Sequence, residues 1–122
     1  MSKTILIVDD SASVRQVVGI TLRGAGYQVL EGCDGEDALR HLDGPKIHMI
    51  ISDVNMPRMD GIAFLKRVKT HPQARFTPVL MLTTESAEEK KREGQAAGAR
   101  AWLTKPFKPE VLLSAVQKLV LP

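Results

Sequence analysis

The chain is poor in the residues that staple or span. It has one cysteine, Cys33, one tryptophan, Trp102, and one tyrosine, Tyr27, and aromatic residues make up only 4% of it. A lone cysteine excludes an intrachain disulfide and fits a reducing compartment. The neighbours of Cys33 are Gly32 and Asp34, with Glu31 and Gly35 beyond, and none is a basic residue that would make a reactive thiolate. Cys33 therefore reads as a small residue just past a strand end. No apolar run approaches the ~20 residues of a membrane span, and Met1-Ser2-Lys3 leads into a strand-like segment without a signal-peptide core. The expectation is a cytoplasmic protein with no membrane span. Charge of one sign is also missing. There are 17 Lys and Arg against 14 Asp and Glu, and they are scattered, with Glu88 and Glu89 directly beside Lys90, Lys91 and Arg92. A nucleic-acid binder gathers its cations on one face, so no nucleic-acid partner is expected. No internal repeat, low-complexity segment or linker interrupts the chain.

What is present is a regular alternation. At 122 residues the chain fits one domain with a single core. Thr4 to Val8 is mostly β-branched and unbroken by polar residues, as a strand covered on both faces reads. A helix follows, capped by Ser11 or Ser13, with Val14, Val17, Val18, Leu22 and Ala25 at i, i+3, i+4 spacing and Gly26 to stop it. Tyr27 to Glu31 alternates like an edge strand. Asp34 caps a short helix with Ala38, Leu39 and Leu42 inward, closed at Gly44-Pro45. His48 to Ser52 is a third strand. Asp60 caps a third helix with Ile62, Leu65 and Val68 on one face, ending before His71-Pro72. Pro78 to Leu82 is a fourth strand that ends in Thr83-Thr84.

Ser86-x-x-Glu89 is a capping box for a fourth helix that has only alanines, Ala87, Ala96 and Ala97, as apolar residues before Gly98. That helix is expected to be the least firmly held. Ala101 to Thr104 is a fifth strand. Pro109 and Glu110 open a last helix with Leu112, Ala115, Val116 and Leu119 inward. Five βα units joined by crossovers of helix length imply an α/β fold, a (βα)5 doubly wound parallel sheet with helices on both faces.

Ligands of such sheets sit outside the C-terminal strand ends. Those ends carry Asp9-Asp10, Asp53, Thr83 and Lys105, all at one edge if the sheet is parallel. Taken singly each has a bland account: a turn and cap, a strand-end residue, a solvated lysine. One constellation explains them together. Three carboxylates in one crevice repel one another and need a cation. All-oxygen ligands with few protein donors suit Mg²⁺. One carboxylate can then attack phosphorus to give an acyl phosphate, with the charge of the transferred group neutralised by metal and Lys105 and a further oxygen held by the Thr83 hydroxyl. Asp53 stands alone on the third strand, in the stretch Met49-Ile50-Ile51-Ser52-Asp53-Val54-Asn55-Met56-Pro57, and is the expected nucleophile. The paired Asp9 and Asp10 are better placed as metal ligands.

The combination of Val8-Asp9-Asp10, Asp53 followed by Met56-Pro57 and Gly61, Thr83, and Lys105-Pro106-Phe107 resembles the response-regulator receiver domains. Size and motifs are those of the single-domain chemotaxis, CheY-like, type. The resemblance covers residues 3–121 and implies several expectations. The strand order is the flavodoxin-like 2-1-3-4-5, and residues 1–122 form a single receiver domain with no output domain. Asp53 is the phosphoacceptor. Asp9, Asp10 and Asp53 hold Mg²⁺ with the backbone carbonyl of Asn55, and Asp10 is the direct ligand of the acidic pair. Thr83 and Lys105 contact the phosphoryl group, and the Lys105-Pro106 bond is cis. Asn55 and Glu85 tune the lifetime of the acyl phosphate and resemble the pair of fast self-dephosphorylating regulators. Thr83 with the aromatic at Trp102 forms the switch, although the family usually has Tyr or Phe there and tryptophan's larger ring and N–H put that half of the switch in question.

His41, His48 and His71 are not placed at the acidic edge, so a partner histidine kinase or phosphotransfer protein is expected to donate the phosphoryl group. The response is a change in the face around the fourth helix, fifth strand and fifth helix, read by an output protein in trans. The protein is expected to be a monomer and a signalling protein rather than an enzyme. A phosphorelay shuttle is the alternative within the family. An aspartyl-phosphate phosphohydrolase is a more distant one, since Asn55 stands where such enzymes carry a second acid and cannot act as general acid or base. A flavodoxin-like FMN carrier is disfavoured because Asp9-Asp10 would repel a flavin phosphate.

Overall fold

The computed structural model describes residues 2–84 and 88–122. The elements alternate throughout: β1 Thr4–Val8, α1 Ala12–Gly24, β2 Gln28–Gly32, α2 Gly35–Leu39, a 3-10 turn Arg40–Asp43, β3 Met49–Ser52, α3 Gly61–Thr70, β4 Val79–Thr83, α4 Glu88–Ala96, β5 Ala101–Thr104 and α5 Pro109–Leu119. The strands form one sheet, all parallel, in the order β2-β1-β3-β4-β5. The flavodoxin-like topology implied by the family resemblance is the observed one.

The period of two along each strand divides the core into two layers. Leu6, Val8, Ile50, Val79 and Met81 pack with Ala38, Leu42, Phe64, Leu65 and Val68 from α2, the 3-10 turn and α3. Ile5, Ile7, Met49, Ile51, Leu80 and Leu82 pack with Val18 and Leu22 of α1 and Leu112 and Val116 of α5. Strands β1, β3 and β4 are buried along their whole length, while the edges β2 and β5 are only partly covered. Continuous apolar runs in the centre and weaker ones at the rims follow from this.

The caps act as read. Ser11 accepts from Val14 N, Asp34 from Asp37 N and Asp60 from Ala63 N, each worth about 1 kcal/mol. The C-cap of α1 is Ala25, with Gly26 just beyond it at φ 94°. Strand bounds shift by a residue: β2 runs to Gly32, β3 begins at Met49 and β4 includes Thr83. The second helix tightens into a 3-10 turn at Arg40, yet Ala38 and Leu42 are buried and Leu39 partly so.

One expectation changes. The inward line of α1 is Val14, Val18 and Leu22, spaced by four, whereas Val17 is 53% exposed and Ile20 63%. Val17 turns instead towards a groove shared with Pro106, Phe107 and Pro109. The capping box Ser86-x-x-Glu89 begins outside the described residues. Among the described residues of α4 only Gly94 is buried.

Candidate functional site

Strand register builds the site. β1 and β3 pair with Val8 opposite Ser52, so the next residue on each, Asp9 and Asp53, lie side by side. β3 and β4 pair with Ser52 opposite Met81, and Thr83 pairs with Thr104, which puts Lys105 one step beyond. Backbone bonds pin each position. Asp9 N donates to the Gly32 carbonyl at 3.1 Å, Asp53 N to Val8 at 2.8 Å and Lys105 N to Thr83 at 2.7 Å. In a parallel sheet all of these reach the same edge.

Asp9 is 2% exposed and Asp53 7%, Thr83 is fully buried, and Asp10 is exposed. The Lys105 ammonium lies between the two buried acids, with Nζ 2.8 Å from Asp9 Oδ2 and 3.6 Å from Asp53 Oδ2. The other oxygens are held by the backbone: Asp9 Oδ1 accepts from Ser11 N at 2.9 Å and Asp53 Oδ1 from Val54 N at 2.8 Å. Arg15 Nη1 donates to the Asp9 carbonyl at 2.6 Å. Burial pushes the Asp53 carboxyl above its usual range, and the neighbouring Asp9 adds to this. Lys105 and the N–H groups of Val54 and Asn55 work in the opposite direction. A carboxylate kept partly desolvated beside a like charge is a strong acceptor for a cation or an electrophile.

One ligand oxygen from each of Asp9, Asp10 and Asp53 lies within 4.8 Å of the others. An octahedral ion with oxygens at about 2.1 Å holds them about 3 to 4 Å apart, so small side-chain rotations bring the three into range. Hard oxygen donors, one of them solvent-exposed, fit Mg²⁺, which retains waters.

Asn55 is exposed at the start of the β3–α3 loop, two residues from Asp53. Glu85 lies outside the described residues. Trp102 is half-buried and packs against the α2–α3 layer, directly beneath α4: a Cβ added to Gly94 would lie 2.8 Å from Trp102 Cζ3. The ring therefore lies under a helix rather than on an open strand edge. Lys105-Pro106 is cis. Cys33 is exposed, just beyond β2. Among the described residues no histidine joins the acidic cluster. His41 approaches the Glu31 carbonyl, His48 accepts from Thr4 N, and His71 pairs with Asp43.

Two contacts escaped the sequence. Gly61, taken only as part of a motif, lies so close to the site that a Cβ would fall 1.9 Å from the Asp53 carbonyl oxygen. Asp34, read as a helix cap, also faces Arg58. Only the turn-like run Pro57-Arg58-Met59-Asp60-Gly61 hinted at a closely held loop.

Comparison with known proteins places this geometry. Residues 5–117 match the response regulator receiver domain. The chain belongs to that family. Chemotaxis protein CheY4 of Vibrio cholerae is 50% identical, with a TM-score of 0.94 over 98% of the receiver and 100% of that chain. The phosphate regulon transcriptional regulatory protein PhoB of Escherichia coli is 34% identical over 98% of the receiver but 52% of its own length. The receiver thus spans about half of that relative. The receiver domain of sensor histidine kinase PA1611 from Pseudomonas aeruginosa, solved with a magnesium ion coordinated in its active-site cleft, is 27% identical, with a TM-score of 0.89 over 98% of each chain. No helix among the described residues is long and apolar enough to cross a membrane.

Proposed function

We propose that the receiver is a phosphorylation-dependent switch of the chemotaxis type, with Asp53 as phosphoacceptor. The observation that carries this is the Lys105 ammonium set between Asp9 and Asp53 while three carboxylates converge within 4.8 Å. In this reading residues 1–122 form one receiver domain. Asp9, Asp10 and Asp53, with the Asn55 carbonyl, hold Mg²⁺, which supplies charge neutralisation to the transferring phosphoryl group. An Asp53 carboxylate oxygen attacks the phosphorus of a phosphohistidine on a partner kinase or phosphotransfer protein. The O–P bond forms as the P–N bond breaks, and the proton taken up by the leaving imidazole comes from solvent. Lys105 holds one phosphoryl oxygen and Thr83 another.

Thr83 and Trp102 form the switch pair. Thr83 moves towards the phosphoryl group and α4, which rests on Trp102, responds with β5 and α5. The partner protein reads that face. Asn55 and Glu85 tune the lifetime of the acyl phosphate and keep the phosphorylated state brief. The working location is the cytoplasm.

Incubation with Mg²⁺ and a small-molecule phosphodonor, followed by intact mass measurement, tests the site. One phosphoryl adduct is expected, absent from Asp53→Asn. An adduct that persists in that variant would overturn the assignment, and a phosphorylated half-life of hours would overturn the brief lifetime.

A further inference from the structure

The β3–α3 loop, which carries Asn55, is fixed at both ends and also at its middle. At its near end Asp53 is held by Val8 and Val54. At its far end Gly61 N donates to the Val54 carbonyl at 2.7 Å. In between, Met56 is buried and Met59 packs against the core. The middle reaches the β2–α2 turn. Arg58 Nε lies 3.5 Å from Asp34 Oδ2, and a Cβ on Gly35 would come within 2.9 Å of the Met59 side chain. The Asp34 side chain is only 6% exposed, and its other oxygen is engaged by Asp37 N at 2.8 Å. Arg58 has φ 67°, a left-handed conformation that arginine rarely adopts. Such a conformation persists only where surrounding contacts hold it. The same stretch of chain that grips Arg58 and Met59 begins at Gly32, whose carbonyl takes the Asp9 N–H.

We infer that Arg58 is a positioning residue for the metal site: with Met59 it ties the Asn55 loop to the Asp34–Gly35 turn. Since Gly32 anchors Asp9, one frame sets the spacing between the Asn55 carbonyl and the acidic pair. This rests on the Mg²⁺ reading above. The Arg58–Asp34 pair is exposed on its arginine side, so its direct contribution to fold stability is small. Its effect is on where a loop sits, as outer contacts of metal ligands commonly act.

The test separates position from charge and from fold. Mg²⁺ is titrated calorimetrically into the wild-type chain, Arg58→Gly, Asp34→Asn and the double variant, and unfolding midpoints are measured without metal. Glycine accepts φ 67° without strain and asparagine still caps α2, so both variants are expected to fold, with the Arg58→Gly midpoint equal or higher. Both single variants are expected to bind Mg²⁺ about tenfold more weakly, and the double variant no more weakly than either, as for members of one contact. Charge alone predicts a split result, because removing a cation from an acidic site tightens Mg²⁺ and removing an acid weakens it. Arg58→Gly binding Mg²⁺ as well as wild type, or better, overturns the inference while the metal site stands. Failure of the wild-type chain to take up Mg²⁺ overturns both.

Discussion

α3 and α4 lie on the same face of the sheet and differ in nearly every way that matters to packing. α3 is capped by Asp60 and buries Gly61, Ile62, Phe64, Leu65 and Val68. Among the nine described residues of α4, Glu88–Ala96, Gly94 alone is buried. The first helix begins where the loop from Asp53 ends, and its anchoring keeps that loop in place. The second covers Trp102 with a residue that has no side chain. Stability is thus concentrated behind the candidate phosphorylation site, and little holds the element that would report its state. Low-stability elements are the ones that move in switching.

The most forceful way to break the contrast is to empty one side of it. Phe64→Ala is expected to cost about 3 to 5 kcal/mol in denaturant unfolding, whereas Lys90→Ala on α4 should stay within about 0.5 kcal/mol. Comparable losses would mean that α4 is held as firmly as α3. Gly94→Ala is the sharper probe of α4. Alanine gains about 1 kcal/mol of helix propensity, but its Cβ would meet a rigid ring atom of Trp102, and overpacking costs about 1 to 3 kcal/mol. The clash should win by a small margin and shift the fluorescence of the only tryptophan. Stabilisation with an unchanged emission spectrum would show that the helix slides at no cost.

Asp60→Ala should lower stability by about 1 kcal/mol through loss of the α3 cap, read from the unfolding midpoint. The last effect runs the other way. Asp53 has a carboxyl raised above its unfolded value. The folded state therefore binds the proton more tightly, and stability is lost as pH rises through the folded pKa. Asp53→Asn should be more stable than wild type by about 1 kcal/mol at neutral pH, and the gain should shrink as pH falls towards the carboxylate range. A constant difference across pH would remove charge as the cause.

Much of this was legible in the chain because the signals were local or additive. The buried strands read as apolar runs, and α3 declared itself through Asp60 and the spacing of Ile62, Leu65 and Val68. Asp9, Asp53, Thr83 and Lys105 could be gathered because a parallel sheet sends all its strand ends one way. Val17 misled because an apolar residue at helical spacing says nothing about the width of the stripe a flat sheet can cover. The 3-10 turn at Arg40 has no compositional mark. The Gly94–Trp102 contact was invisible for another reason: a missing side chain carries no pattern, and its meaning depends on a residue on another element. The Arg58–Asp34 link likewise joins two loops by their positions in space.

Gly61 has a consequence in mutational space. With its missing Cβ only 1.9 Å from the Asp53 carbonyl oxygen, no side chain fits there, however small. In a library of all substitutions, that codon would accept only synonymous changes. A second-site suppressor would have to move the main chain of Asp53 or all of α3, and so could not restore the fold without disturbing the site.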